Sequence, residues 1–111
     1  MNYNNKIFKT IANSENGELE AGMLFSYKQV DNILSCSYSG SSIRMGKLLG
    51  LVDEKGNIDM HYFQINLKDE IMTGICKSSP EIMENGKIRL HESWQWTSGD
   101  LSSGNSILEE Q

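Results

Sequence analysis

The chain has 111 residues, of which 38% are hydrophobic, and its 15 acidic and 10 basic side chains give a net charge of −5. This length fits a single domain spanning residues 1–111, which buries roughly 60–70% of its unfolded surface and so requires neither disulfides nor a metal. Because nucleic acids and anionic membranes are bound through clustered Lys and Arg, the charge argues against both as partners.

The ends and the cysteines indicate a cytoplasmic protein. The N-terminal residues Met1 to Phe8 lack the apolar segment of a signal peptide, and the longest aliphatic run, Leu48 to Val52, is far shorter than the ~20 residues of a membrane span. In a reducing compartment we expect Cys36 and Cys76 to be free thiols. No CxxC or CxxxH spacing occurs, so the sequence predicts no metal site and no cofactor.

Short segments rich in β-branched, aromatic and Met residues alternate with turn sequences such as Glu15-Asn16-Gly17 and Glu84-Asn85-Gly86, and none has helical periodicity. Because all connections are short, neighbouring strands should pair antiparallel, and a closed up-and-down barrel hides both edges of such a meander. The alternative, a two-sheet sandwich, usually needs longer connections. The fold class is therefore all-β, with eight predicted strands at 6–14, 20–29, 33–39, 43–52, 57–67, 71–79, 86–97 and 105–110.

Alternation along each strand assigns side chains to the barrel interior. In the strand 86–97, Ile88, Leu90, Glu92, Trp94 and Trp96 share the face that we expect to point inward. A buried carboxylate must be paired, hydrogen-bonded or protonated, because burying it bare costs several kcal/mol. Three interpretations of Glu92 stay open: it anchors a ligand, it acts as a general acid or base with a raised pKa, or it only pairs with an interior Tyr, Gln or Arg.

Other interior polar and aromatic groups would surround Glu92 in a mostly apolar ligand site. The alternatives are that the two Trp residues plug a barrel end, and that the polar groups form a satisfied internal network. The predicted ligand-binding residues are Tyr27, Tyr38, Tyr62, Gln64, Glu92, Trp94 and Trp96.

The outward faces carry a second prediction. In the strands 43–52 and 57–67 the outer face is itself partly apolar, which a solitary barrel in water does not require. We therefore expect a homo-oligomer that packs through Leu49, Leu51, Phe63 and Ile65. His61 and His91 fall on outward faces and are interpreted as solvated, and Ser98, Ser102 and Ser103 are assigned to turn chemistry because no nucleophile elbow or His–Asp partner accompanies them.

Four blocks carry a resemblance to a known family: the opening Met1 to Phe8, Asp59-Met60-His61-Tyr62, Met72-Thr73-Gly74, and above all the segment from Arg89 to Asp100. They resemble a small bacterial family of avidin-like barrel proteins, many of which are labelled "N-acetylglutamate synthase". The resemblance implies an avidin-like barrel, a meander of the kind also found in lipocalins, but no biotin-contacting residues. The usual acetyl-CoA site needs a glycine-rich loop at a helix N-terminus, and since none is predicted we expect no acetyl-CoA binding.

Three functions follow from this pattern. The first is a non-catalytic barrel that binds a small, partly apolar molecule in its interior. The second is a small barrel enzyme, of isomerase or lyase type, in which Glu92 transfers a proton. The third is a structural or interaction oligomer whose interior is simply filled.

Overall fold

The computed structural model describes residues 1–13 and 22–111, and these form an antiparallel sheet. The described residues contain no helix that could cross a membrane. The strands are β1 (Ile7–Asn13), β2 (Leu24–Ser26), β3 (Lys28–Val30), β4 (Ile33–Tyr38), β5 (Ile43–Val52), β6 (Ile58–Asn66), β7 (Ile71–Ile82), β8 (Ile88–Trp96) and β9 (Ser103–Glu110).

Turn chemistry connects the strands as the sequence indicates. Between β5 and β6, Asp53 accepts hydrogen bonds at its Oδ1 from the backbone N–H groups of Lys55 and Asn57, at 2.9 Å each, and Gly56 supplies a φ of 86°. Between β3 and β4, Asp31 takes the left-handed conformation, with φ at 54°. The predicted turn at Glu15–Gly17 lies outside the described residues.

The described part of the sheet contains nine strands, where the sequence predicted eight. The predicted strand 20–29 breaks at Tyr27, because the chain changes partners there: β2 pairs with β1, and β3 pairs with β4. At the break, Tyr27 N–H donates to the Lys6 carbonyl at 2.9 Å, and Asn5 N–H donates to the Tyr27 carbonyl at the same distance. The strand order in the sheet is β2-β1-β9-β8-β7-β6-β5-β4-β3, so β2 and β3 are its two edge strands. Because β2 and β3 are consecutive parts of one segment, the two edges of the sheet lie close together and the sheet curves into a barrel.

The predicted facing of the strands is confirmed by the burial pattern. In β8 the residues from Ile88 to Trp96 alternate, with Glu92 buried at the centre. In β5 the buried face carries Gly46, Leu48, Gly50 and Val52, while Leu49 and Leu51 are exposed. Cys36 and Cys76 are buried free thiols, as expected.

One end of the barrel is filled by the N-terminal segment. Tyr3 is fully buried, with ring centroids 6.0 Å from Phe8 and 6.2 Å from Tyr27 in edge-on arrangements. Its backbone N–H donates to Gln29 Oε1 at 2.9 Å, and its hydroxyl donates to the Gly56 carbonyl. This plug closes the barrel beside the β5–β6 turn, so the remaining interior space lies beyond it.

Candidate functional site

The barrel interior holds a cavity of about 40 Å³. Because roughly 10–15 Å³ of such space accommodates one water molecule, the cavity has room for about three waters or a comparably small ligand. All seven residues predicted to bind a ligand line it: Tyr27, Tyr38, Tyr62, Gln64, Glu92, Trp94 and Trp96. Their ligand-binding role remains a prediction, but the fold does bring them to one place.

Five further residues complete the wall: Phe25, Leu48, Met60, Cys76 and Leu108. Phe25 precedes the predicted Tyr27 by two residues, and Met60 precedes the predicted Tyr62 by two residues, so each shares the face of a predicted ligand-binding residue. The alternation of inward-facing and outward-facing side chains along a strand is the sequence signal that identifies such residues. Leu108 lies on β9, whose facing becomes clear only from its register with β8, where it pairs with Leu90.

Glu92 lies in the middle of this interior, on β8, with 7% of its surface exposed. The Ser78 hydroxyl on β7 donates to Glu92 Oε2 at 2.9 Å, and Ser106 stands opposite Glu92 on β9. Burial raises the pKa of Glu92 to about 7, and the Ser78 hydrogen bond opposes that rise. The hydrogen-bond partner of Glu92 is thus a serine on the adjacent strand, a residue type that the sequence interpretations of Glu92 did not include.

The charge of Glu92 is not balanced by a cation in the cavity wall. No Lys, Arg or His occurs among the described residues that line the cavity. Arg89, which lies on the same strand, faces outward and donates from Nε to Glu109 Oε2 at 2.8 Å. Arg44 on β5 pairs at the surface with Asp69.

Two hydrogen-bond donors in the wall have no partner within the described part of the chain. These are the hydroxyl of Tyr27, which is fully buried, and the indole N–H of Trp94, which is 5% exposed. A buried donor that makes no hydrogen bond costs roughly 1–3 kcal/mol, and either an ordered water molecule or an acceptor of a ligand could supply the missing partner in the cavity. Tyr27, Trp94 and Glu92 therefore offer both hydrogen-bonding polarities to a guest.

Aromatic rings form the other side of the cavity. The Tyr38 hydroxyl donates to Gln64 Oε1 at 2.9 Å, and the Tyr38 ring lies 5.0 Å from that of Phe25. Tyr62, which is half-buried, meets Trp96 edge-on at a centroid distance of 5.3 Å. These contacts hold the rings in place where the wall reaches the surface.

Two glycines position two of these tyrosines. Tyr38 is paired across the strands with Gly46, and Tyr62 with Gly74. A Cβ atom built on either glycine would overlap the ring of its partner, so each ring lies directly on glycine backbone. In the sequence, Gly46 and Gly74 appear only as glycines within predicted strands. Their tyrosine partners can be identified only when the register between neighbouring strands is known.

We expect Gly74→Ala to destabilise the protein by about 1–3 kcal/mol, because the new methyl group displaces the Tyr62 ring. Urea unfolding followed by circular dichroism measures this cost. The matched background is Tyr62→Ala, in which the ring is absent and the same alanine should cost well under 1 kcal/mol. An equal cost in both backgrounds would show that the ring is not the cause.

The remaining candidates lie outside the cavity. His61 and His91 are exposed, and His91 Nε2 lies 2.7 Å from Glu81 Oε1. Ser98 accepts a hydrogen bond at Oγ from the backbone N–H of Thr73 at 2.9 Å, and Ser103 begins β9. Within residues 1–13 and 22–111, no cluster of three or more His, Cys, Asp or Glu side chains could hold a metal ion.

Comparison with known proteins places this barrel in a family. Searches of curated proteins and of solved structures returned no significant match. A model of the "Avidin-like protein" family matches residues 1–111, which is the whole chain. The nearly closed antiparallel barrel and its inward-facing aromatic residues agree with that match. The chain belongs to the avidin-like protein family.

Proposed function

We propose that this protein binds a small, partly apolar molecule inside its barrel. The observation that carries the proposal is the cavity, in which a mostly apolar wall surrounds one carboxyl group and two donors without a protein partner. Ligand sites generally combine such a wall with a few convergent polar groups. The family match agrees with this use of the interior without naming a ligand.

The size of the cavity sets the expected affinity. A ligand of three or four non-hydrogen atoms gains at most about 1.5 kcal/mol per atom, which corresponds to a Kd no tighter than roughly tens of micromolar. A search must therefore use concentrated small fragments. Trp94 and Trp96 line the cavity, so their fluorescence reports its occupation directly.

The experiment titrates fragments of up to about four non-hydrogen atoms, neutral and charged, and follows binding by tryptophan fluorescence and ligand-observed NMR. Cys76→Leu fills the cavity and should weaken binding at least about tenfold. Cys36→Leu is the matched control, because this second buried cysteine is not part of the cavity wall. Circular dichroism checks that both variants fold. Absence of binding by the wild-type protein, or equal losses in both variants, would contradict interior binding.

The pKa of Glu92, about 7, favours a second candidate, a proton-transfer enzyme in which this carboxyl is the general acid or base. In that case Glu92→Gln abolishes turnover while ligand affinity is retained. Acetyl transfer from acetyl-CoA is not part of either proposal. The usual acetyl-CoA site is built on a helix N-terminus, and the cavity wall is made of strands.

We also propose that the outer face of β4 to β7 packs against a second copy of the chain. Leu49, Leu51 and Phe63 are 61%, 57% and 53% exposed, and Ile65 is half-buried. The neighbouring Ile33, Met45 and Ile71 are exposed as well, so large apolar side chains recur across this outer face, as is typical of surfaces that bind other proteins.

We expect Leu49→Lys to convert this assembly into single chains, because a charge at the centre of the apolar face would be buried without a partner. Size-exclusion chromatography with light scattering measures the change, and the wild-type mass should be a multiple of 12.5 kDa. Leu24→Lys is the matched control, since Leu24 is an exposed strand leucine, 54% accessible, on β2. A single-chain mass for the wild-type protein would contradict the interface.

A further inference from the structure

We infer that the interior site selects small organic cations, a primary amine or a methylated ammonium, held between the Glu92 carboxylate and the surrounding aromatic rings. This inference rests on the proposed binding function and adds the chemical class of the ligand. It depends on the composition of the wall, on its charge and on the state of the groups that face Glu92.

The wall is unusually aromatic for so small a cavity. Ring centroids of neighbouring pairs lie 5.0 Å apart for Phe25 and Tyr38, 5.3 Å for Tyr62 and Trp96, and 6.3 Å for Trp94 and Trp96. A cavity of about 40 Å³ thus brings any occupant close to several rings at once. Cations within about 6 Å of a ring centroid are attracted by its quadrupole, and aromatic cages recognise ammonium groups in this way.

The charges of the wall distinguish between classes of guest. Glu92 is the sole ionisable side chain of the wall that carries charge near neutral pH, and its one protein hydrogen bond on the described chain comes from Ser78. An anion would be repelled at short range in a medium of low dielectric constant, and a neutral guest would leave the carboxylate without a counter-charge. A cation supplies the missing counter-charge and completes an ion pair inside the barrel.

The other titratable groups near Glu92 do not compete for this role. For three of them, the phenols of Tyr27 and Tyr38 and the thiol of Cys76, burial raises the pKa above its ordinary value; the phenol of Tyr62 also lines the cavity. All three are therefore uncharged around neutral pH. The carboxylate that forms as pH rises faces neutral phenols, a neutral thiol and the Ser78 hydroxyl, so its charge remains available to a guest.

The experiment compares three probes of nearly equal size: ethylammonium, ethanol and acetate. Titrations at about pH 8.5 and constant ionic strength follow tryptophan fluorescence and ligand-observed NMR. We expect ethylammonium to bind at least about tenfold more tightly than ethanol, and acetate not to bind. Between pH 8.5 and 5.5 the affinity for ethylammonium should fall at least tenfold, because the amine stays protonated while Glu92 becomes neutral.

Glu92→Gln should remove the preference for the cation while leaving weak binding of ethanol. The matched control is Glu109→Gln, whose side chain pairs with Arg89 outside the barrel and should leave every affinity unchanged. Binding of ethanol as tight as that of ethylammonium, or a cation affinity that is insensitive both to pH and to Glu92→Gln, would overturn the cation inference and leave interior binding standing. Failure of every probe and fragment to bind would overturn the proposed function itself.

Discussion

Replacing Tyr3 by Ala is expected to lower the free energy of unfolding by about 3–5 kcal/mol, the cost typical of removing a large buried aromatic side chain. Tyr3 is fully buried at the closed end of the barrel, where its ring contacts Phe8 and Tyr27. Its loss leaves a hole that strands held by cross-strand hydrogen bonds can close only in part. Urea denaturation followed by circular dichroism and by tryptophan fluorescence measures the change.

Two controls separate the contributions to this effect. Tyr3→Phe keeps the ring but removes the hydroxyl that donates to the Gly56 carbonyl, and it should cost about 1 kcal/mol. Leu101→Ala truncates an apolar side chain that is 59% exposed, and it should change stability by less than about 0.5 kcal/mol. If Tyr3→Ala cost no more than Leu101→Ala, the N-terminal segment would not be the plug that its contacts indicate.

The sequence was sufficient for those features that depend on alternation within one strand. The face shared by Leu90, Glu92 and Trp94 follows from a period of two, and a slip of one residue would have reversed it. The same rule assigned Tyr38, Tyr62 and Gln64 to the interior. The inward-facing sides of all strands in a barrel surround the same interior. Knowing which side chains of each strand point inward was therefore enough to predict that these residues would line the cavity.

Contacts between residues that are far apart in the sequence could not be predicted from alternation within single strands. The hydroxyl of Tyr3 donates a hydrogen bond to the carbonyl of Gly56, which lies 53 positions further along the chain, and no local sequence pattern indicates that contact. Ser78 becomes the partner of Glu92 only through the register of β7 and β8. The break at Tyr27 likewise depends on the change of partner from β1 to β4, so the sequence predicted one continuous strand there.

As pH rises, the titration of Glu92 is expected to lower the free energy of unfolding of the wild-type protein. The Glu92→Gln variant should lack this pH-dependent decrease. Burial raises the pKa of Glu92 from 4.5 to about 7, so between these values the folded state binds more protons than the unfolded state. The stabilising contribution of the protonated carboxyl is complete below about pH 4.5 and is lost as pH rises through 7. Since each unit of pKa shift is worth 1.36 kcal/mol, the variant should gain about 3 kcal/mol on the wild type between pH 4 and pH 8.

The measurement is the difference in unfolding free energy between Glu92→Gln and the wild type across that pH range, because the difference cancels titrations that both proteins share. Glu84→Gln is the matched control, since Glu84 is exposed and its difference curve should stay within about 0.5 kcal/mol. A flat difference for Glu92→Gln would show that the carboxyl is as well solvated in the folded protein as in the unfolded chain. If the difference in unfolding free energy between Glu92→Gln and the wild type rises with pH, the experiment establishes Glu92 as a buried, titrating carboxyl group. Both proposed functions of this site, ligand binding and proton transfer, depend on such a group.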